Sequence, residues 1–313
     1  MVTEAEMNCM SSIKTISIVG AGAMGSFYVS KFSDIDASSV SVIAGGKRSD
    51  RLKAEGIVVN GKQYMVPVVR PEDKTTPADL IIVAVKNHHL PEAIRDMAPR
   101  VGSSTIIISV MNGIDSEEQI GAVYGMDKML YAVAVGIDAL RNGNAMTYTT
   151  QGKLFFGEAD NRILSDRVKR VQELFNRAEI IYETPEDMIR ILWWKFMINV
   201  GINQTSAVLR APYGIFQTSR DAQELMDSAM REVTAIAAAA EIDITDDDIN
   251  HWYGFLSQLS PEGKTSMLQD VEAKRKTEVE MFAGKMMELG KRYGIPTPVN
   301  ETLCRIIRVI ERN

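Results

Sequence analysis

The sequence predicts an α/β domain built on a mostly parallel sheet, followed by an all-helical domain. Three observations carry this expectation. The first half holds four strand-sized apolar runs separated by helix-like stretches; a glycine-rich turn directly follows the first run; and from Glu186 onward long helical patterns replace strand signals. Continuous β-branched runs suit parallel strands buried on both faces, and their alternation with helices reads as βαβ units.

In chain order, TISIV (15–19), VSVI (40–43), LIIVAV (80–85) and TIIISV (105–110) are the predicted strands. MGSFYVSKF and PEAIRDMAP between them are predicted helices. GIVVNGKQYMVPVV (56–69) contains Asn-Gly and predicts an inserted hairpin. MTYTTQGKLFFGE (145–157) predicts a further strand pair, followed by a helix over 163–178 and a short strand at IIYET. The Ala-rich and Met-rich helical patterns that follow place a domain boundary near Thr184 and Pro185. The expected domains are 1–184, with residues 1–14 as a polar tail, and 185–313. With no low-complexity linker, tight packing of the two is expected, and a cleft between such domains commonly takes a ligand.

Hydrophobic residues make up 45% and charged residues 24% of the 313, ordinary values for a globular protein. Lys plus Arg (35) against Asp plus Glu (41) leaves a formal charge of -6, which argues against a general nucleic-acid or anionic-membrane binder. No apolar run approaches a membrane span. Cys9 and Cys304 show no framework spacing, and His88, His89 and His251 no metal-ligand spacing. No metal is expected, and a reducing cytoplasm is the natural home. The first residues, MVTEAEMNCMSSIK, lack the apolar core of a signal peptide.

ISIVGAGAMGS places Gly20, Ala21, Gly22, Ala23, Met24 and Gly25 between the first strand and a helix. This is the GxGxxG setting of a Rossmann-type dinucleotide-binding domain. The first glycine allows the turn, the second lets backbone approach a pyrophosphate, and the third packs helix on strand. An ordinary tight turn is the bland alternative. The second strand ends in VIAGGKRSDR, with no acid where NAD sites usually carry one and with Lys47 and Arg48 just beyond. Those cations suit a 2′-phosphate, so NADPH is expected to be preferred over NADH; a solvated basic turn is the alternative. Two further strands end in polar residues, at Lys86 and at Asn112–Gly113, where open α/β sheets place ligands. Lys86 could neutralise a phosphate or carboxylate, and Asn112 could meet a nicotinamide or substrate. A surface lysine and a turn-forming Asn-Gly are the alternatives.

In WWKFMINVGINQTSA (193–207), Lys195, Asn199 and Asn203 recur every four residues in an apolar helix. On an α-helix this spacing makes one polar stripe. A solvated face would carry more Glu, Lys and Arg, and buried amides need partners. Further on, Ser266 with Gln269 has the spacing of a capping box, and Glu278 falls among charged residues of an expected helix.

Taken together, GAGAMG, the AVK and MNG strand ends, WWKFMINVGINQTSA, TSMLQDVEAKRKTEVE and YGIPTPVNETLCRIIR resemble the ketopantoate reductase family from about Ile16 onward. The resemblance implies a Rossmann-type domain followed by a helical C-terminal domain of the 6-phosphogluconate dehydrogenase type. It also implies NADPH-dependent reduction of 2-dehydropantoate to D-pantoate, a step toward coenzyme A. By motif, Lys195 matches the family's catalytic lysine and Glu278 its partner carboxylate. Asn199, Asn203 and Ser266 match substrate-binding positions, and Lys86 and Asn112 match active-site residues on the cofactor side. The family often carries an arginine where this chain has Gly45, a role that Lys47 or Arg48 would take over. The partner expected is a small 2-keto acid, and a homodimer stays open. The rivals are a related D-2-hydroxyacid dehydrogenase acting on another branched or aromatic keto acid, and a non-catalytic NADP(H) sensor.

Overall fold

A computed structural model describes residues 12–312; Cys9 and most of the expected N-terminal tail lie outside the described residues. Contacts divide the chain into two compact units. One gathers the chain up to Met111 together with Asp115–Met188, and the other joins Asn112–Ile114 to the chain from Ile189 onward.

The first unit holds an eight-stranded sheet. In it β1 (Ile16–Val19) lies between β2 (Val40–Ile43) and β6 (Leu80–Val83), both parallel to it. The helices α1 (Ala23–Asp36) and α2 (Gly46–Glu55) follow β1 and β2. Every residue of these three strands is buried, which is why their sequences read as unbroken apolar runs. The polar exceptions are satisfied: the Ser17 and Ser41 hydroxyls meet at 3.0 Å, and Arg100 Nε donates to Ser17 Oγ at 2.9 Å.

The hairpin is present. β3 (Ile57–Val59) and β4 (Lys62–Tyr64) pair antiparallel around Asn60 and Gly61, both in the left-handed region. β5 (Val68–Val69) then returns to the main sheet beside β2. Beyond β6 come α3 (Leu90–Asp96), β7 (Ile106–Ser109), α4 (Ser116–Tyr124) and β8 (Met129–Val135), continuing the parallel order.

The expected strand pair at 145–157 is corrected. β9 (Leu140–Asn142) and β10 (Ala145–Thr147) join β3 and β4 in a separate four-stranded sheet, with β10 parallel to β3. β11 (Lys153–Gly157) instead runs antiparallel to β8 and beside β12 (Tyr182–Glu183), with α5 (Asp166–Arg177) between β11 and β12 in the chain. Gly152, at φ +65, sits between the two segments; a Cβ there would lie 2.3 Å from the Val135 carbonyl oxygen, so only glycine fits that bend.

The second unit is helical. It runs α6 (Met188–Ile198), a π-helical segment at Asn199–Asn203, α7 (Gln204–Leu209), α8 (Tyr213–Thr218), α9 (Arg220–Ala239), α10 (Asp246–Leu256) and α11 (Ser266–Glu272). A second π segment at Glu280–Gly284, then α12 (Lys285–Tyr293) and α13 (Pro298–Ile310), complete it. The Ser219 hydroxyl caps α9, and Met226, Met230, Val233 and Ile236 on its inner face are fully buried. Each such side chain contributes about 1.5–3 kcal/mol through removal from water. Among the described residues no helix is long and apolar enough to cross a membrane.

Candidate functional site

In the first unit the glycine-rich loop has the geometry its three glycines require. Gly20 adopts φ +96, and a Cβ on it would lie 2.5 Å from the Ala84 carbonyl oxygen. On Gly25 a Cβ would lie 1.7 Å from the Gly20 carbonyl oxygen, so α1 packs on the turn only without a side chain there. Gly22 differs, since its nearest neighbours would be 3.8 Å and 3.9 Å away, in ordinary contact. Gly20, Ala21 and Gly25 are buried, whereas Gly22, Ala23 and Met24 stay partly open. Gly22 is also the N-cap of α1 and gives it no side-chain hydrogen bond, so the first-turn amides remain to meet an anion. The loop thus fits a dinucleotide pyrophosphate: two glycines are needed by the fold, and the third opens a helix whose first amides carry no side-chain cap.

Lys47 and Arg48 lie exposed in the first turn of α2, whose N-cap is Gly45. Lys86 is half-buried just past β6, and its carbonyl accepts from the His89 amide. Arg141, on β9, was not anticipated. One of its terminal nitrogens lies 3.8 Å from the position a Gly22 Cβ would take. Its pairing depends on the separate four-stranded sheet, which local sequence pattern does not reveal.

In the second unit the polar stripe is buried rather than solvated. Asn199 and Asn203 are 4% and 6% exposed. The expected α-helix widens there into the π segment, a feature frequent at functional sites. Side chains of the following turn add hydrogen bonds to its carbonyls. Gln204 Nε2 donates to Val200 O at 2.7 Å, and Thr205 Oγ1 donates to Gly201 O at 2.8 Å. Gly201 lets this segment press on α9, since a Cβ would stand 2.4 Å from Met230 Cε. Asn203 Nδ2 donates weakly to Asn199 Oδ1 at 3.4 Å, and Asn199 Nδ2 is buried with no partner among the described residues. Leaving such a donor unmet costs about 1–3 kcal/mol, a cost that a ligand's acceptor would remove.

One helical turn earlier, Lys195 is partly buried. Burial lowers its ammonium's pKa to about 8, and no carboxylate counteracts this. The expected pairing with Glu278 is therefore absent among the described contacts. The Glu278 carboxylate instead accepts from Asn112 Nδ2 at 3.3 Å. Nor does Glu278 sit on a charged helix. It is half-buried just before the second π segment, and its carbonyl accepts from Met281 N and Phe282 N. Its neighbour Thr277 is buried and anchored to Glu311 through both amide and hydroxyl, which fixes the backbone at that point.

The capping box at Ser266 is corrected as well. Thr265 is the N-cap of α11, with its hydroxyl accepting from Leu268 N at 3.1 Å. The same hydroxyl donates to Ser206 Oγ at 3.2 Å and ties the start of α11 to α7. Ser266 is left exposed in the first turn, its hydroxyl not spent on capping. α11 packs against the Asn199–Asn203 segment, and the two π segments touch each other. The fold therefore gathers the elements carrying Lys195, Asn199, Asn203, Asn112, Glu278 and Ser266 within one unit. Lys86, Lys47, Arg48 and the glycine loop belong to the other.

The second unit offers a partly buried ammonium able to give up a proton near neutral pH and a buried amide lacking an acceptor among the described residues; the first offers uncapped amides at a helix start. The chain is 27% identical to the 2-dehydropantoate 2-reductase of Aquifex aeolicus, across 94% of this chain and 96% of that one. The solved 2-dehydropantoate 2-reductase of Geobacter metallireducens superposes with a TM-score of 0.83 at 24% identity, covering 94% and 99% of the two chains. D-mandelate dehydrogenase with NADH and anilino(oxo)acetate superposes at 0.86 with 21% identity, covering 95% and 98%. The model of ketopantoate reductase PanE/ApbA matches residues 16–161, and that of its C-terminal part matches residues 187–311. With both halves matched in order, the chain belongs to the ketopantoate reductase family of oxidoreductases.

Proposed function

We propose that this protein is an NADPH-dependent 2-dehydropantoate 2-reductase, a cytoplasmic enzyme forming D-pantoate on the route to coenzyme A. The observation that carries the reading is the buried line of Lys195, Asn199 and Asn203, with an ammonium of lowered pKa and an amide lacking an acceptor. Family membership and the names of its curated relatives support the substrate class.

When bound, the reduced nicotinamide supplies a hydride to the carbonyl carbon. The residues do the rest. Lys195 holds the carbonyl oxygen and gives it a proton as negative charge develops, and its pKa near 8 keeps the donor charged yet labile at neutral pH. Asn199 and Asn203 donate to the substrate's oxygens, and Ser266 binds its hydroxyl or carboxylate. Glu278, steered by Asn112, is the carboxylate of the site. On the cofactor side the glycine loop cradles the pyrophosphate, Lys47 and Arg48 receive the 2′-phosphate, and Lys86 adds a positive charge.

A second reading is reduction of an aromatic 2-keto acid, favoured by the likeness to the D-mandelate dehydrogenase bound to anilino(oxo)acetate. Steady-state kinetics with 2-dehydropantoate, 2-ketoisovalerate and phenylglyoxylate, each with NADPH and with NADH, separates the two. The proposal expects the highest kcat/KM with 2-dehydropantoate and NADPH. Higher efficiency with phenylglyoxylate overturns the substrate assignment, and comparable efficiency with NADH overturns the cofactor assignment.

A further inference from the structure

Arg141 has no place in the roles assigned above, yet it stands beside the loop on which the cofactor reading depends. One terminal guanidinium nitrogen lies 3.8 Å from where a Cβ would sit on Gly22. Its Nε donates to the Gly143 carbonyl at 2.9 Å, across the turn between β9 and β10. That bond steadies the base of the fork and leaves its terminal nitrogens for another acceptor. Among the described residues Arg141 forms no ion pair, and although its surroundings partly desolvate the guanidinium, the side chain is open enough for an anion to reach it.

Two more guanidiniums share this ground. Desolvation, then the charges of Arg51 and Arg48 on α2, press down the proton affinity of Arg141. Arg48 also feels the Asp96 carboxylate, but no acid acts appreciably on Arg141 itself. Like charges that act on one another in this way favour a bound anion. The position at Gly22 selects which anion. A dinucleotide's pyrophosphate rests at the start of the helix after the first strand, and Gly22 is that helix's N-cap.

We propose that Arg141 is a pyrophosphate-binding residue of the cofactor site, supplied by the inserted four-stranded sheet rather than by the Rossmann core. The inference rests on the dinucleotide reading given above. A guanidinium fork matches two phosphate oxygens, so Arg141 closes over the diphosphate while the α1 amides hold it from below. Because the pyrophosphate is common to both nicotinamide cofactors, Arg141 serves affinity and Arg48 serves discrimination.

Titration calorimetry with NADPH and with NADH, on the wild type and on Arg141→Ala, Arg141→Lys and Arg48→Ala, tests this. Arg141→Ala is expected to weaken both cofactors by the same factor, about 10-fold to 100-fold. Arg141→Lys recovers part of that loss, since it restores the charge without the fork. Arg48→Ala weakens NADPH and spares NADH. Unchanged affinities in Arg141→Ala overturn the inference, even if its melting temperature falls through the lost Gly143 bond. Loss for NADPH alone also overturns it, because the contact would then be to the 2′-phosphate. A wild type that binds neither cofactor brings down the dinucleotide reading and this inference with it.

Discussion

At the scale of single residues, Lys195 is the proton donor of the proposed reaction and carries a cost. Its folded-state pKa near 8 lies below the ordinary lysine value of 10.5, and burial is the cause. The unfolded chain therefore holds a proton that the native state gives up between about pH 8 and 10.5. Stability rises with pH across that window, and the full cost of the buried charge is present below about pH 8. Lys195→Met removes the charge and keeps the stem; scanning calorimetry at pH 7 should show Tm raised by about 2–4 °C. A fall in Tm would mean that the ammonium is compensated in the native state. The same pKa predicts that kcat/KM for keto-acid reduction declines as pH rises through about 8, while the reverse oxidation gains. A reduction profile flat to pH 9.5 would remove Lys195 as proton donor. Much at this scale was legible, since the four-residue rhythm of Lys195, Asn199 and Asn203 already marked one line. The π-helical turn was not, because the sequence period hardly differs between the two helix types. Nor was the capping hydroxyl of Thr265, since either Thr265 or Ser266 suits an N-cap by type.

At the scale of elements, the turn from β1 into α1 discriminates among its glycines. Gly25→Ala forces a Cβ to within 1.7 Å of a backbone oxygen, so the helix must lift from the strand. The expected loss exceeds about 3 kcal/mol, and denaturant titration should show it as a large drop in midpoint or as failure to fold. Gly22→Ala meets only ordinary contacts and should fold normally, while its affinity for a dinucleotide falls; equal tolerance of both variants would contradict this geometry. The start of α4 makes a second prediction. Glu117 is buried, and burial raises its carboxyl pKa to about 7 against hydrogen bonds from Ser116 and the Ala132 amide. The unfolded carboxyl ionises near 4.5, so stability is fullest below that value and is lost as pH rises toward 7. Glu117→Gln should flatten the stability profile between about pH 4.5 and 7. A wild-type profile already flat there would contradict it. The strands around these helices were read closely from sequence because burial on both faces leaves unbroken apolar runs. The four-stranded sheet escaped because its strands are three residues long and β10 pairs with β3, far away in the chain.

At the scale of the whole molecule, the sequence divides its labour between two kinds of packing. The first unit spends its glycines and β-branched runs on a sheet whose first strand turns directly into a helix with uncapped first amides. The second spends methionines and small residues on close helix packing, which buries two amides and partly buries an ammonium that an isolated helix would leave in water. The account's central claim is that this buried line reduces a 2-keto acid with Lys195 as proton donor. Its most direct test is the rate of NADPH consumption with 2-dehydropantoate, measured for the wild type and Lys195→Ala side by side, with cofactor binding checked in both. The account predicts turnover by the wild type and a loss of at least about 10²-fold in the variant, which still binds NADPH. Near-normal turnover in the variant, or no NADPH consumption by a cofactor-binding wild type with any 2-keto acid, would contradict it.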